Sequence, residues 1–458
     1  MAEAGKVKVV KRAAPRKTVN AANLALLGPE RLAALLIEVA DGQAGIKRRL
    51  KLALAGEVGA ADLAVEIDKR VEAIGDSRAR INWRKYKEFV RDLDAHRVAA
   101  GEQLGEMDPA LAIGSLTRIV MLSEALEGRI NDTKAEVADV FEAAIADVAR
   151  LAPEATKIDS RGLGETLLSF LLNASSRLSV ELLRAAAPAL DPATVADLRT
   201  RMGKRLADQK RPDPRLRAAA QVLADLQGDV DGFLALVPAS QRVLPPVGAQ
   251  IARRLLAAGR IPEAIAALED SAPAETERAG SLTVEWDEAR IAVLEAAGDE
   301  TGAQFARWAS FKTTLSPDML RAFVKRLPDF EDVEAEDQAL AYALAFPDPH
   351  RALAFLTAWP SAEYAARLVA KRGPALHGDR PEVLEPAARL LEHRHPVAAT
   401  ILLRSMIDDV VRHGRTERYA AARTHLLEAE SLVPSLPADA PFEDHETYRR
   451  RIAAYRRL

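Results

Sequence analysis

The chain has 458 residues, of which 48% are hydrophobic and 29% charged, and its formal net charge at pH 7 is −3. This composition is that of a folded globular protein and excludes an intrinsically disordered chain, while the nearly neutral charge gives no general argument for binding nucleic acid or a membrane. The sequence contains no cysteine, which excludes disulfides, thiolate nucleophiles and cysteine-based zinc or iron–sulfur sites.

Residues 1–18 are predicted to form a disordered basic tail. No apolar segment of the kind found in secretory signals follows it, and no uninterrupted apolar run is long enough to span a bilayer, so we expect a cytoplasmic protein. Such a tail either binds nucleic acid or an acidic partner, or is simply solvated. Its candidate nucleic-acid contacts are Lys6, Lys8, Lys11, Arg12, Arg16 and Lys17.

Residues 19–151 are predicted to form an N-terminal helical domain. Behind Gly28-Pro29, apolar residues recur at Leu32, Leu35, Leu36 and Val39, a spacing typical of one face of a helix, and Asp41-Gly42 ends the pattern. Strand-like alternation is absent, so the sequence predicts an all-α fold. The weakly apolar stretch 152–164 is predicted to separate this domain from the next.

A helix beginning near residue 83 mixes aromatic and basic side chains. Helical spacing predicts that Trp83, Tyr86, Val90 and Leu93 face the core. The alternative is a nucleic-acid surface, on which cations bind phosphates and rings stack on bases. The candidate contacts of that alternative, which otherwise face water, are Arg84, Lys85 and Lys87, with Arg78 and Arg80 just before them.

Residues 165–458 are predicted to form an irregular α-solenoid of TPR-like helical hairpins, ending in a basic capping helix at 448–458. Turns at 259–260, 298–299, 347–348 and 414–415 each separate two helical patterns. An alanine stands five residues after the start of each of the first three turns, and Tyr419 stands at the same place after the fourth. A small residue at this position lets the two helix backbones approach closely. Uneven spacing between the turns indicates a degenerate array.

Two segments carry a resemblance to a known family. They are residues 18–55 and 395–430, supported by Trp83-Arg84 and by the DPALA sequence at 108–112. On these segments the chain resembles the DUF6880 family, uncharacterised bacterial all-helical proteins that are similar in style to the TPR-like C-terminal regions of SWIM zinc-finger proteins. The cysteine-based zinc finger of such proteins has no counterpart here, and the resemblance implies no catalytic residue.

No sequence motif for a cofactor, a metal or a catalytic nucleophile stands out. Six histidines lie late in the chain, and helix ends explain them better than metal binding does. We therefore predict a non-enzymatic scaffold or adaptor that binds a protein or peptide partner without a cofactor. The alternative is a nucleic-acid-associated protein that uses the basic tail and the helix at 78–87, and an enzyme is a third hypothesis. The histidines are His377, His393, His395, His413, His425 and His445.

Overall fold

The computed structural model describes residues 18–211, 213–274 and 283–455. Within these residues every regular element is a helix, and the only strand-like pairing is an isolated bridge between Ile81 and Ile130. The predicted all-α fold is thus confirmed. The six basic residues proposed as contacts in the tail lie outside the described residues.

The chain divides into two compact units, Met1–Leu236 and Val237–Leu458. In the first unit, a π-helical segment, Ala99–Leu104, links α5 to α6. The α-helices of this unit are α1 (Ala21–Ala25), α2 (Pro29–Ala40), α3 (Ala44–Val58), α4 (Ala60–Asp76), α5 (Trp83–Val98), α6 (Gly105–Met107), α7 (Pro109–Leu126), α8 (Glu136–Leu151), α9 (Ser160–Asn173), α10 (Leu178–Ala186), α11 (Pro192–Ala207), α12 (Pro214–Leu226) and α13 (Val230–Leu236).

The second unit is helical throughout its described part. Its α-helices are α14 (Ala239–Arg242), α15 (Pro245–Ala257), α16 (Ile261–Asp270), α17 (Val284–Ala296), α18 (Glu300–Thr314), α19 (Pro317–Val324), α20 (Glu331–Ala345), α21 (Pro349–Ala358), α22 (Ala362–Arg372), α23 (Pro381–Leu391), α24 (Pro396–Arg412), α25 (Tyr419–Leu432) and α26 (His445–Ala454).

Local sequence explains where many helices begin. At the start of α7 the Asp108 carboxylate accepts hydrogen bonds from the backbone N–H groups of Ala110 and Leu111, at 3.0 and 3.1 Å. Pro109 occupies the first helical position, where its missing N–H costs nothing. The same Asp-Pro arrangement opens α11, α12 and α21.

One apolar core runs through the first unit from Leu52 to Leu223. Ala152 and Leu163, at the two ends of the predicted inter-domain stretch, both belong to it. The division into compact units falls later, after Leu236. The domain limits 19–151 and 165–458 therefore stay predictions, and the stretch between them is crossed by a continuous core.

The predicted helix–turn–helix pairs of the second unit are present. Gly259, Gly298 and Gly414 have φ values of 73°, 78° and 60°, the left-handed conformation that glycine adopts at low cost. Ala264, Ala303 and Ala352, which follow three of the four turns, are fully buried.

The fourth hairpin departs from this pattern. A 3₁₀ turn, Thr416–Arg418, precedes α25, and Tyr419, the first residue of that helix, is 39% exposed. Ala422 is buried on the first turns of α25. The small buried residue therefore lies later in this hairpin than in the other three.

By length and composition, one helix among the described residues, Pro109–Leu126, is apolar enough to cross a membrane. Half of it is buried inside the protein. Its Ile113, Leu116 and Ile119 side chains are fully enclosed in the core of the first unit. Packing of a core helix accounts for its composition.

Candidate functional site

The predicted basic surface lies at the start of α5. Arg84, Lys85 and Lys87 are all exposed there. Leu93 is buried as predicted, but Trp83 is 80% exposed, so the prediction that it faces the core is wrong. The reason is its position: Asn82 caps α5, and Trp83 is the first helical residue, at the open end of the helix. The Arg84 guanidinium lies over the indole ring, 5.3 Å from its centroid.

A small basic pocket of about 380 Å³ adjoins this helix end. Asp92 on its wall is held by Arg48 and Arg70, at 2.7 and 2.6 Å. Five basic residues and two carboxylates line the pocket, so its net charge is positive; these are Arg48, Arg70, Arg80, Lys85, Arg129, Glu88 and Asp92.

A cavity of about 800 Å³ lies in the second unit. Three parts of the chain form its walls: the segment joining α22 to α23, one side of α24, and the segment 441–451 that leads into α26. The wall is part apolar and part charged. Its apolar members include Val369, Leu376, Ile401, Phe442 and Tyr448.

Arg404 is the charged residue that lies deepest in this wall. It is 6% exposed and lies on α24, most of whose other buried residues are apolar. Its guanidinium carbon lies 4.6 Å from the ring centroid of Phe442 and 4.3 Å from that of Tyr448, within the range of cation–π attraction. Its Nη1 donates to the Glu443 carbonyl oxygen at 2.7 Å.

The remaining edge of Arg404 is unpaired. Its Nε and Nη2 atoms are buried and have no hydrogen-bond partner. These two N–H groups point in parallel from one edge of the planar guanidinium, the geometry that binds the two oxygens of a carboxylate. A buried donor without an acceptor is costly, so this edge is a site at which the protein alone is incomplete.

The electrostatics of two neighbouring arginines differ. Burial lowers the pKa of the Arg404 guanidinium from its ordinary value. The pKa of Arg451 is raised, mainly because its Nε donates to Glu443 Oε1 at 2.7 Å. Arg451 therefore has a carboxylate as a hydrogen-bond partner, whereas Arg404 has only a backbone carbonyl oxygen.

A tyrosine-centred network holds α26 against α24. The Tyr448 hydroxyl lies 3.2 Å from the Arg404 carbonyl oxygen and 3.1 Å from Asp408 Oδ1, and it can donate to either. Arg451 Nη2 lies 3.4 Å from Asp408 Oδ2. Burial and the negative charge of Asp408 raise the pKa of Tyr448, which keeps the phenol protonated.

Asp409 is a second buried charge on the cavity wall. It is 9% exposed, and its Oδ1 atom lies 3.0 Å from Nδ1 of His413. Its Oδ2 atom has no hydrogen-bond partner, although Arg415 Nη1 lies 3.3 Å away and pairs with it by charge. The wall thus presents an acceptor without a hydrogen-bond donor as well as the donor edge of Arg404 without an acceptor.

His445 lies at the first position of α26, close to Arg404. Both ring nitrogens are buried without a hydrogen-bond partner. Burial and the positive charge of Arg404 lower its pKa, which favours the neutral ring. Neutral imidazole carries one donor and one acceptor, so His445 extends the unsatisfied polar region around Arg404.

Two other late histidines each lie beside a carboxylate. His425 Nε2 lies 3.1 Å from Glu385 Oε1 on α23, and His393 lies 3.5 Å from Glu392. No group of three or more metal-ligating side chains comes together in the part of the chain that the structure describes.

The comparisons with known proteins point to one family. A family model described as a family of unknown function, DUF6880, matches residues 14–214 and 204–457. The chain belongs to the DUF6880 family. No curated protein and no solved structure matches it. The second matched region of this DUF6880 protein contains the whole Arg404 cavity.

Arg404 and Asp409 are not among the candidate residues predicted from the sequence, because neither belongs to a recognised motif or to a basic cluster. A signal was nevertheless present, because the run ILLRSMIDDVV places charged residues inside an otherwise apolar helix of this DUF6880 protein. Charged residues are rarely buried unless they are paired. Whether such a residue is buried, however, depends on the segments packed around the helix.

Proposed function

We propose that this DUF6880 protein is a non-enzymatic cytoplasmic scaffold or adaptor, built as a degenerate solenoid of TPR-like hairpins, that binds a protein or peptide partner. The observation that carries the proposal is the cavity beside α24. It combines apolar walls with a few buried polar groups that lack partners, as ligand-binding sites do. The helix–turn–helix pairs support the solenoid, and the absence of cysteine supports the cytoplasmic location.

The contacts in the cavity favour binding over reaction. The Ser405 hydroxyl donates to the Leu376 carbonyl oxygen at 2.7 Å and so holds two walls together. Asp408 and Glu443 are both engaged by Arg451. These three groups, held in this way, shape a surface and are poorly placed to act as a general base, which needs a free lone pair directed at its substrate.

Peptide binding is tested with a phage-displayed library of random peptides and the full-length protein. We expect enriched peptides that bind in solution, and at least tenfold weaker binding by Ile401→Trp, because the indole would fill part of the cavity. Leu427→Trp is the matched control: Leu427 is exposed on α25 and does not line the cavity. Thermal unfolding verifies that both variants fold. Equal binding by the two variants, or no enrichment at all, would contradict the proposal.

The second candidate function is nucleic-acid binding, and the exposed indole of Trp83 is the observation that favours it. An aromatic ring beside a net-positive pocket is the arrangement that binds single strands, with bases stacked on the ring and phosphates near the cations. Arg84 stacks on the ring, Lys85 and Lys87 are exposed on the same helix, and the basic tail 1–17 belongs to the same hypothesis.

If this second function holds, Trp83→Ala weakens binding of a fluorescent single-stranded oligothymidylate roughly tenfold, since stacking contributes about 1–3 kcal/mol per base. Binding should also weaken steeply with salt and on deletion of residues 1–17. Phe330→Ala is the control, because Phe330 is an exposed aromatic residue of the second unit, 87% exposed. Absent or salt-independent binding would remove nucleic acid from consideration.

A further inference from the structure

We propose that the cavity beside α24 recognises its peptide through a carboxylate that docks on the Nε/Nη2 edge of Arg404. This inference rests on the proposed function and names the chemical group that the site takes. The donor is a residue 94% removed from solvent, and two of its nitrogen atoms have no acceptor.

A second buried arginine of the same unit shows what a completed site looks like. Arg307 is 2% exposed, and its Nη1 donates to Gln304 Oε1 at 2.8 Å while its Nη2 pairs with the Glu295 carboxylate. Arg404 has only the Glu443 carbonyl oxygen and two aromatic rings. Compared with Arg307, Arg404 therefore lacks a carboxylate partner.

The acceptor on the same wall favours a peptide. Asp409 Oδ2 lacks a hydrogen-bond donor, although Arg415 Nη1 pairs with it by charge at 3.3 Å. Asp409 lies five residues further along α24, which separates it from Arg404 by about 7.5 Å along the helix axis and by about 140° around it. A peptide bound through a carboxylate at Arg404 carries several backbone N–H donors along its length, which a small carboxylic acid does not, so it can also supply a donor to Asp409.

The charge of the wall favours a carboxylate over a phosphate. Four arginines line the cavity together with four carboxylates, so a doubly charged phosphate would meet as many negative side chains as positive ones. A singly charged carboxylate needs only the one unmatched guanidinium. The arginines are Arg404, Arg412, Arg415 and Arg451, and the carboxylates are Asp379, Asp408, Asp409 and Glu443.

Access to Arg404 requires a movement. Nε and Nη2 are closed to solvent, and the Phe442 ring and the Glu443 carbonyl oxygen that contact the guanidinium both belong to residues 436–444, which contain no helix. Peptide binding at this edge therefore requires the segment to move away from Arg404. The competing occupant is an internal water molecule between Arg404 and His445, whose ring nitrogens are also unpaired.

The test uses N-acetylated random hexapeptides in four pools, with a C-terminal acid or amide and with Asp and Glu included or excluded. We expect the full-length protein to retain every pool except the one without any carboxylate. Comparison of the acid pool lacking Asp and Glu with the amide pool containing them shows whether a chain terminus or a side chain supplies the group.

For the strongest retained peptide we expect Arg404→Met to weaken binding at least about a hundredfold, as befits loss of a charge-assisted pair of hydrogen bonds. Arg404→Lys should lose much of the affinity, because it keeps the charge without the two-pronged edge. Arg404→Met should fold with an unchanged or higher Tm, since it removes an unmatched buried charge. Arg307→Met, the matched control, should lower the Tm and leave peptide affinity unchanged.

The outcomes separate the two levels of the proposal. If the carboxylate-free pool is retained, or if Arg404→Met binds with equal affinity, the proposal that a carboxylate docks on Arg404 is wrong, while peptide binding itself stands. The buried polar groups around Arg404 then hold water. If inorganic phosphate displaces the peptide more strongly than acetate does, the site prefers a phosphate and the proposal of a carboxylate is wrong. Retention of no pool overturns the peptide-binding function together with its ligand.

Discussion

Replacing Asp92 with alanine is expected to lower the free energy of unfolding of the first unit by about 3 kcal/mol. The Asp92 carboxylate is buried and accepts hydrogen bonds from Arg48 Nε and Arg70 Nε, each at 2.7 Å. Removing it leaves two partly buried guanidinium groups close together without their counter-charge. The side chains of Arg48 and Arg70 keep about a quarter of their surface exposed, 28% and 24%, which limits the cost below that of a fully enclosed pair.

The measurement is amide hydrogen exchange of α3, α4 and α5, which reports the opening free energy of the first unit separately from the second. Asp41→Ala is the matched control. Asp41 pairs with Lys47 at 3.2 Å, but its side chain is 85% exposed, and exposed pairs contribute little. Equal exchange in both variants would show that the Asp92 cluster does not hold these three helices together.

Secondary structure was readable from the sequence wherever local signals and packing agree. The run behind Gly28-Pro29 predicts a helix, and α2 occupies Pro29–Ala40. The Gly-Arg turn at 414–415 predicts a helical pair, and α24 and α25 flank it. Turn glycines and helical periodicity act over a few residues, so they are visible without knowledge of the tertiary structure.

Burial was predicted less well, because it depends on what packs around a helix. Trp83 has the right spacing for a core residue, yet it lies at the exposed first position of α5. The predicted apolar face of α2 shows the same effect: Leu36 and Val39 are 47% and 51% exposed. Periodicity identifies one face of a helix but not which turns of that face have a neighbour.

The candidate site was the least predictable part. Arg404 becomes distinctive only when Phe442 and Tyr448, about forty residues further along the chain, enclose it. Its missing acceptor is a property of three segments together, and no spacing within one helix encodes it. The exposure of Arg84 and Lys85, in contrast, follows from helical spacing alone, and the structure places both side chains in solvent, while their role in binding nucleic acid stays a prediction.

Replacing Gly378 with alanine is expected to destabilise the second unit by about 3 kcal/mol and to distort the Arg404 cavity. Gly378 lies in the segment between α22 and α23 and packs directly on the backbone of α24. A Cβ atom there would lie 2.7 Å from the Met406 Cα atom and closer still to the Ser405 carbonyl group. Backbone atoms inside a buried helix cannot move aside as the end of a flexible side chain can, so the segment itself must shift.

That shift has specific consequences for the cavity wall. The Ser405 hydroxyl donates to the Leu376 carbonyl oxygen at 2.7 Å, and His350 Nε2 lies 3.0 Å from the His377 carbonyl oxygen. Both contacts fix the segment that Gly378 belongs to, and displacing it weakens both. Each such hydrogen bond contributes about 1 kcal/mol, which adds to an overpacking cost of about 1–3 kcal/mol.

Urea denaturation monitored by tryptophan fluorescence measures the loss, since Trp286, Trp308 and Trp359 all lie in the second unit. Gly203→Ala is the matched control: Gly203 lies within α11, nothing lies within 4 Å of an added Cβ, and the change should stabilise the first unit slightly. Any peptide bound through Arg404 should bind more weakly to Gly378→Ala even under conditions where the variant is fully folded. Unchanged stability together with unchanged affinity would mean that α24 and this segment are not held together as closely as their packing implies.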